Sequence, residues 1–144
     1  MLVLVPSMLD GAALAVNTAA VLRIGTTVIN VARVDRASAF WRAALGYVPR
    51  RQYPEDADFV VLVPPTGAGA HLALNESDSP PEEIPHVHLD LYAGDADDQA
   101  TEVERLVGLG ASRVDWPFYD DDGDYIVLAD PDGNRFCVVN TGQT

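Results

Sequence analysis

The stretch that decides the fold is Asp124 to Asn140, DYIVLADPDGNRFCVVN. Apolar and β-branched residues run up to Ala129, DPDG follows, and a second apolar run closes on Asn140. Proline fixes φ and glycine accepts positive φ, so the pattern reads as two antiparallel strands around a tight turn. A weaker copy stands at Asp58 to Asn75, DFVVLVPPTGAGAHLALN, again with an acid, an aromatic residue, a Pro- and Gly-containing turn and a closing Asn. One half of the chain repeats the other, and the repeat limits where a site can lie.

Working outward, the same order precedes each hairpin. In the first half TTVINVARV, from Thr26, is rich in β-branched residues and reads as a strand. Asp35 is placed to cap a helix in which Ala37, Phe40, Trp41, Ala44 and Leu45 form one apolar stripe, with Gly46 as its stop. Phe40 and Trp41 are expected in the core. Tyr47 to Arg51 begins a strand, Pro54 to Asp56 turns, and Phe59 to Val63 and His71 to Leu74 are strands. In the second half His86 to Tyr92 is a strand that sends Val87, Leu89 and Leu91 beneath the helices and His86, His88, Asp90 and Tyr92 to the other face. Asp95 opens a helix whose Ala96, Ala100, Val103 and Val107 share a face, and Gly110 ends it. Arg113 to Trp116 begins another strand before the acidic turn at Asp120 to Asp122.

The expectation is an α+β chain of two βαβββ modules, about residues 26–75 and 86–140, joined by an aperiodic Pro-rich linker at 76–85. The modules pair into an incompletely closed, curved sheet whose concave face takes a ligand. Residues 1–25 form an apolar N-terminal extension, read either as a strand over residues 1–5 and a weak helix opened by Ser7 and Asp10 that needs a partner surface, or as a poorly ordered extension from an upstream start. Its first 22 residues lack a basic start and are interrupted by Pro6 and Asp10, which argues against a signal peptide and a membrane span.

The 144 residues, 48% hydrophobic, suit one well-cored domain. Acids number 22 against nine basic residues, all Arg, for a formal charge of −13. That charge repels nucleic acid and anionic membranes at long range. A single cysteine, Cys137, rules out an intramolecular disulfide and a multi-cysteine zinc site, and fits a reducing, cytoplasmic location.

At VARVDRASAFWRAALGY, HLDLYAGDADDQATEVERLVGLGA and IVLADPDGNRFCVV the chain resembles the vicinal oxygen chelate superfamily, in its glyoxalase-like subgroup, over about Thr26 to Val139. That superfamily includes glyoxalases, extradiol dioxygenases, fosfomycin-modifying enzymes and bleomycin-sequestering proteins. The resemblance implies the paired modules, a homodimer and, in metal-dependent members, ligands that are usually His on the first strand of each module and usually Glu on the last. Carried onto this chain, those positions are Val28, Leu72, His88 and Cys137, and His88 alone keeps the expected residue. Val28 and Leu72 have no donor atoms, and a thiolate at Cys137 makes the site softer. Catalytic metals normally need about three protein ligands, so no cofactor is expected and a divalent metal is disfavoured. The alternative places an ion on His86, His88 and Cys137, with Asp90 one step along the strand.

The candidate ligand contacts are therefore Asn30, His88, Asp90, Trp116 and Cys137, with His88 the candidate catalytic group. Trp116 and Tyr119 form either an aromatic wall over a flat ligand or packing at the rim. Arg135 shares a face with Cys137 and either favours a thiolate there or stands beside a buried thiol. Two functions fit. One is a metal-independent binding or resistance-type module for a small organic molecule. The other is a glyoxalase-type lyase or isomerase in which His88 is a metal ligand or, with Asp90, an acid-base group.

Overall fold

Each of the two hairpins lies inside a four-stranded mixed sheet, and the sheets are wired alike. The computed structural model describes residues 2–6, 13–17 and 19–142. After an antiparallel ribbon of β1 (Leu2–Pro6) and β2 (Ala13–Asn17), module one runs β3 (Thr26–Val31), α1 (Val34–Leu45), β4 (Val48–Pro49), β5 (Phe59–Val63) and β6 (His71–Glu76). Module two runs β7 (Asp90–Tyr92), α2 (Ala96–Leu109), β8 (Ser112–Arg113), β9 (Tyr125–Ala129) and β10 (Arg135–Val139). Their strand orders are β3-β6-β5-β4 and β7-β10-β9-β8, with the first strand parallel to the last in each. The fold is the expected α+β arrangement, with two sheets that are not closed into one barrel. Among the described residues no helix is long and apolar enough to cross a membrane.

The N-terminal reading needs correction: Ala13–Asn17 is a strand paired with Leu2–Pro6, not part of a helix. A run without a polar face has no solvent side to offer as a helix, and cross-strand pairing satisfies the same backbone groups. The capping pair Ser7 and Asp10 falls outside the described residues.

Helix α1 buries Val34, Ala37, Phe40, Trp41 and Ala44, and Gly46 closes it at φ 69°. That left-handed conformation is one that glycine adopts without Cβ strain. Its start differs from the sequence reading. Arg33, not Asp35, is the N-cap residue, and it supplies no side-chain cap. Instead the carboxylate of Asp132, from the other module, accepts the Ala32 and Arg33 N–H groups at 2.9 and 3.4 Å. Asp35 is held by Arg33 at 2.7 Å, and that hydrogen bond lowers its carboxyl pKa.

Helix α2 does begin at Asp95, with a reciprocal capping box to Asp98. Its buried face, however, is Gln99, Val103 and Leu106, while Ala96 and Ala100 are exposed. The Gln99 amide donates to the carbonyls of Asp124 and Val138 at 3.0 and 2.9 Å. A satisfied polar group thus sits on the core side, where a search for apolar periodicity passes over it.

The expected strand from His86 shrinks to Asp90–Tyr92. β10 starts at Arg135, so the earlier residues have little partner strand to pair with, and the Cys137 N–H to Leu89 carbonyl bond of 2.9 Å stands at the margin of the ladder. Val87 is 81% exposed rather than packed beneath a helix, whereas Leu89 and Leu91 do pack against the core.

One core serves both modules. Trp41 meets Phe40 and Phe136 edge-on, each at 5.1 Å. The β9–β10 turn acts as a clasp across the modules. Asp130, 2% exposed, accepts the Trp41 indole N–H at 3.1 Å and the N–H groups of Asp132 and Asn134 at 3.0 and 2.9 Å. Burial raises its carboxyl pKa, against the lowering effect of those hydrogen bonds. Asp132 binds Arg36 at 2.6 Å, and the Asn134 amide donates to the Asn30 carbonyl at 2.9 Å. Gly133 has φ 90° and lies so close to Pro81 of the linker that a Cβ would stand 2.9 Å from its ring. From α2, Arg105 donates to the carbonyls of Ala43 and Ala44 at the end of α1, at 3.0 and 2.8 Å.

A second device is repeated in both halves. β4 and β8 are two residues long, which leaves the middle of β5 and β9 unpaired on one side. In module one the Tyr53 hydroxyl accepts the Val61 N–H at 3.0 Å, and in module two the Tyr119 hydroxyl accepts the Val127 N–H at 2.8 Å. The eight-residue spacing is the same.

Candidate functional site

The helix caps and strand registers fix which residues correspond. Arg33 and Asp95 are the two N-caps, Val28 pairs with Ala73, and Asp90 pairs with Cys137. Asp90 therefore answers to Val28, His88 to Thr26, Cys137 to Ala73 and Arg135 to His71. This corrects the sequence alignment, which set Val28 against His88 and Leu72 against Cys137. Taking Asp35 as the cap moved the first strand by two residues, and matching the closing Asn residues moved the last by one. Leu72 belongs to the helix-side core and is 3% exposed.

On the other face of module two's sheet lies a cavity of about 680 Å³, lined by His88, Asp90, Trp116, Tyr125, Arg135 and Cys137 among others. The alternation and register of β7, β9 and β10 put Asp90, Tyr125, Arg135 and Cys137 on one side while Phe136 and Val138 enter the core; His88, two residues before Asp90, and Trp116, after β8, complete the lining. His88 Nε2 stands 3.0 Å from Asp90 Oδ1, and both side chains are about half exposed. Donor atoms of His88, Asp90 and Cys137 all lie within 4.8 Å of one another. Cys137 is 7% exposed, and its thiol is pushed up to about 11, first by burial and then by the charge and hydrogen bond of Asp90. It is a neutral thiol near pH 7, and Arg135 does not turn it into a thiolate.

Four of the five candidate contacts, His88, Asp90, Trp116 and Cys137, meet in this cavity. Asn30 does not. Its side chain accepts from Asn75 at 3.0 Å, and it lines an adjoining groove between the modules beneath the linker, which shares His88 and Arg135 with the cavity. His86 lies in that groove too, outside the cluster of donors, so an ion on His86, His88 and Cys137 does not match the geometry. Trp116 packs edge-on against Phe118 at 5.3 Å, and its indole nitrogen is buried without a hydrogen-bond partner among the described residues. Tyr119 is not part of the wall. Its hydroxyl holds Val127, and its ring lies on Tyr125 at 5.4 Å.

Sequence reasoning passed over Tyr125 and the linker residues Ile84 and Pro85 as lining, and read Arg135 only as a neighbour of the thiol. Alternation outward from Cys137 was the available signal for Arg135; nothing in an acidic, Pro-rich linker announces that it borders a cavity.

The resemblance implies a divalent metal, and the donors can be tested against it. One imidazole, one carboxylate and one protonated thiol converge from module two. Module one offers Thr26, Val28 and Ala73 at the matching positions, none of them a usual ligand. This set does not fit the oxygen- and nitrogen-rich centre that the resemblance implies.

A family model described as a glyoxalase-like domain matches residues 26–139. Among solved structures, a glyoxalase/bleomycin resistance protein/dioxygenase family enzyme from Burkholderia phytofirmans PsJN aligns with TM-score 0.63 and 17% identity, over 83% of this chain and 98% of that one. A mutant of the fosfomycin resistance protein FosX from Listeria monocytogenes, complexed with Mn(II) and 1S,2S-dihydroxypropylphosphonic acid, aligns with TM-score 0.64 and 16% identity, over 83% and 93% of the two chains. A glyoxalase-related enzyme from Fulvimarina pelagi aligns with TM-score 0.59 and 17% identity, over 83% and 88%. At these identities the likeness is one of fold. No curated protein matches the chain.

Proposed function

Because the chain belongs to the glyoxalase-like domain family, we propose that it holds a small organic molecule in the cavity on its second sheet, as a binding or resistance-type module, without the metal centre of its metal-dependent relatives. The observation that carries this reading is the cavity of about 680 Å³, which combines an aromatic wall with one polar cluster. That is the volume and lining of a small-molecule site. The reading without metal is supported by the donors: one module supplies three unlike groups, and the other supplies none.

A second reading rests on the 3.0 Å contact between His88 and Asp90. A carboxylate that orients an imidazole over a cavity is the arrangement of an acid-base pair. It supports a glyoxalase-type lyase or isomerase in which His88 moves a proton on the bound molecule. His88→Ala separates the two readings: a binding module keeps part of its affinity, while an enzyme loses turnover by about 10²-fold or more.

The test has two arms. Metal analysis of protein purified without added metal, beside His88→Ala, is expected to give negligible content in both; a stoichiometric ion lost in the variant would overturn the metal-free reading. Thermal-shift screening is expected to find a ligand, since one present at about 100 times its Kd stabilises by about 2.7 kcal/mol. Failure of every small apolar or dicarbonyl compound would overturn the cavity as a binding site.

The same reading includes a cytoplasmic homodimer. Val21, Leu22 and Ile24 are each more than nine-tenths exposed, and an apolar stretch so placed suits an interface with a second copy. Light scattering that gives the monomer mass at micromolar concentration would remove this part.

A further inference from the structure

We propose that the ligand of this cavity is a monoanion, a small carboxylate with an apolar or aromatic body, and that Arg135 is the residue that takes its charge. This deepens the binding reading above and rests on it. The first observation is exposure. All nine basic residues are arginines within the described part of the chain, and eight of them are exposed; Arg135 alone is half-buried. The second is pairing. Among the described residues the side chains of Arg33, Arg36, Arg105 and Arg113 have carboxylate partners and Arg51 lies over the Tyr53 ring; those of Arg23, Arg42, Arg50 and Arg135 have no hydrogen bond, ion pair or ring contact, and of these four Arg135 alone is not exposed. The third is position: Arg135, the first residue of β10, borders the cavity on the face that carries Cys137, and it also borders the groove beneath the linker and the pocket beside Val114 and Pro117.

A guanidinium drawn part-way out of water without a counter-charge is costly to hold, and the cost is recovered when an anion arrives. In a chain of net charge −13 this is a local exception. Its planar fork matches the two oxygens of a carboxylate. The remaining lining sets the rest of the ligand. Asp90 and Asp124 border the same cavity, so a doubly charged group meets repulsion that a single charge largely avoids. Trp116, Tyr125 and Val127 offer an apolar wall to the body of the molecule. His88 borders the same cavity.

The experiment titrates the wild-type protein with pyruvate, benzoate and phenylacetate, with the neutral benzamide and phenylacetamide, and with phenylphosphonate, by calorimetry and thermal shift. The same titrations are run on Arg135→Gln, Arg135→Lys and, as an exposed control, Arg50→Gln. At least one carboxylate is expected to bind, with its amide roughly 10- to 100-fold weaker, the factor that one or two charge-assisted hydrogen bonds confer. Arg135→Gln is expected to lose the same factor, Arg135→Lys part of it and Arg50→Gln none. An amide that binds as well as its acid overturns the anionic assignment on wild-type protein, so a variant that fails to fold does not shelter the proposal. Unchanged affinity in Arg135→Gln overturns the role of Arg135, and a phosphonate that binds more tightly than phenylacetate overturns the single charge. If neutral compounds bind while carboxylates do not, the cavity stands and the anion falls; if none binds, the cavity reading falls with it.

Discussion

In module one the last strand sets Ala73 beside Val28 of the first; in module two the matching pair is Cys137 with Asp90. Thr26 and His71 stand where the other half has His88 and Arg135. The two sheets have the same order, the same parallel closing pair and the same tyrosine seated on the middle strand. What differs is the set of side chains on the face away from the helices. A repeat of this kind separates scaffold from chemistry: the backbone that places a site is present twice, and the polar cluster is present once. The turns differ as well. Asp130 answers to Pro64, so module two alone has a carboxylate there to reach into the other half.

Replacing residues of module two by their lesser counterparts tests this contrast. The largest effect is expected from Asp130→Ala, which strips the clasp and leaves the Trp41 indole and two backbone N–H groups without an acceptor. At 1–3 kcal/mol for each buried donor, and with partial rescue by water, urea denaturation should show a loss of about 3–5 kcal/mol. A loss below about 1 kcal/mol would mean that the modules are joined by apolar packing alone. The pH dependence has a definite sign. Burial raises the Asp130 pKa, so the part of stability linked to its protonation is complete below the ordinary value of 3.8 and is lost as pH rises through the folded value, while the hydrogen bonds it accepts remain. Asp130→Asn should flatten that acid-side slope.

Next in size is the alkaline limb. The Cys137 thiol moves from 9.0 to about 11, so its contribution is fully present below pH 9.0 and is lost as pH rises through about 11. Cys137→Ala, which installs the module-one residue, should remove this loss in denaturation curves measured from pH 8 to pH 11. An unchanged slope would place the titration elsewhere.

A smaller effect is expected from Asp90→Val. Burial is the leading cause of the raised thiol and Asp90 the lesser one, so iodoacetamide at pH 9 should alkylate Cys137 faster in the variant, by less than about tenfold. Slower alkylation would show that the carboxylate was opening the site rather than holding the thiol neutral. The smallest effects test the shared part of the comparison. Tyr53→Phe and Tyr119→Phe should each cost about 1 kcal/mol, and cost the same. A clear inequality would show that the two sheets differ below the level of their topology.

Much of the fold was legible because it rests on local signals. The α1 stripe from Ala37 to Ala44, the stop at Gly46, the box at Asp95 and both hairpins follow from periodicity, capping and turn chemistry. The errors have a common source. Asp35 resembles a better cap than Arg33, but the start of α1 is satisfied by Asp132, about a hundred residues away in sequence. Gln99 looks like a surface residue until the carbonyls of Asp124 and Val138 come to it. In the site, His88, Asp90 and Cys137 were readable from strand alternation, because β7 and β10 pair as neighbours. Asn30 was misplaced because the cavity is lined by module two and the linker, not shared with β3; His86 was misplaced because its position depends on how the linker crosses between the sheets. No local rule fixes that path.

The clasp also sets an order of events in time. The groups that Asp130, Asp132 and Asn134 bind lie between Asn30 and Trp41, so these contacts span 89 to 104 residues of chain. Such pairings close late, because the entropy of the intervening loop must be lost before they form. A chain emerging from the ribosome makes α1 early, yet leaves the Trp41 indole and the Ala32 and Arg33 N–H groups that lead into that helix without these partners until nearly the last residue has been added. Nascent chains stalled before Asp124 are therefore expected to stay open to protease, and to become resistant only once β10 has been synthesised and is free to pair.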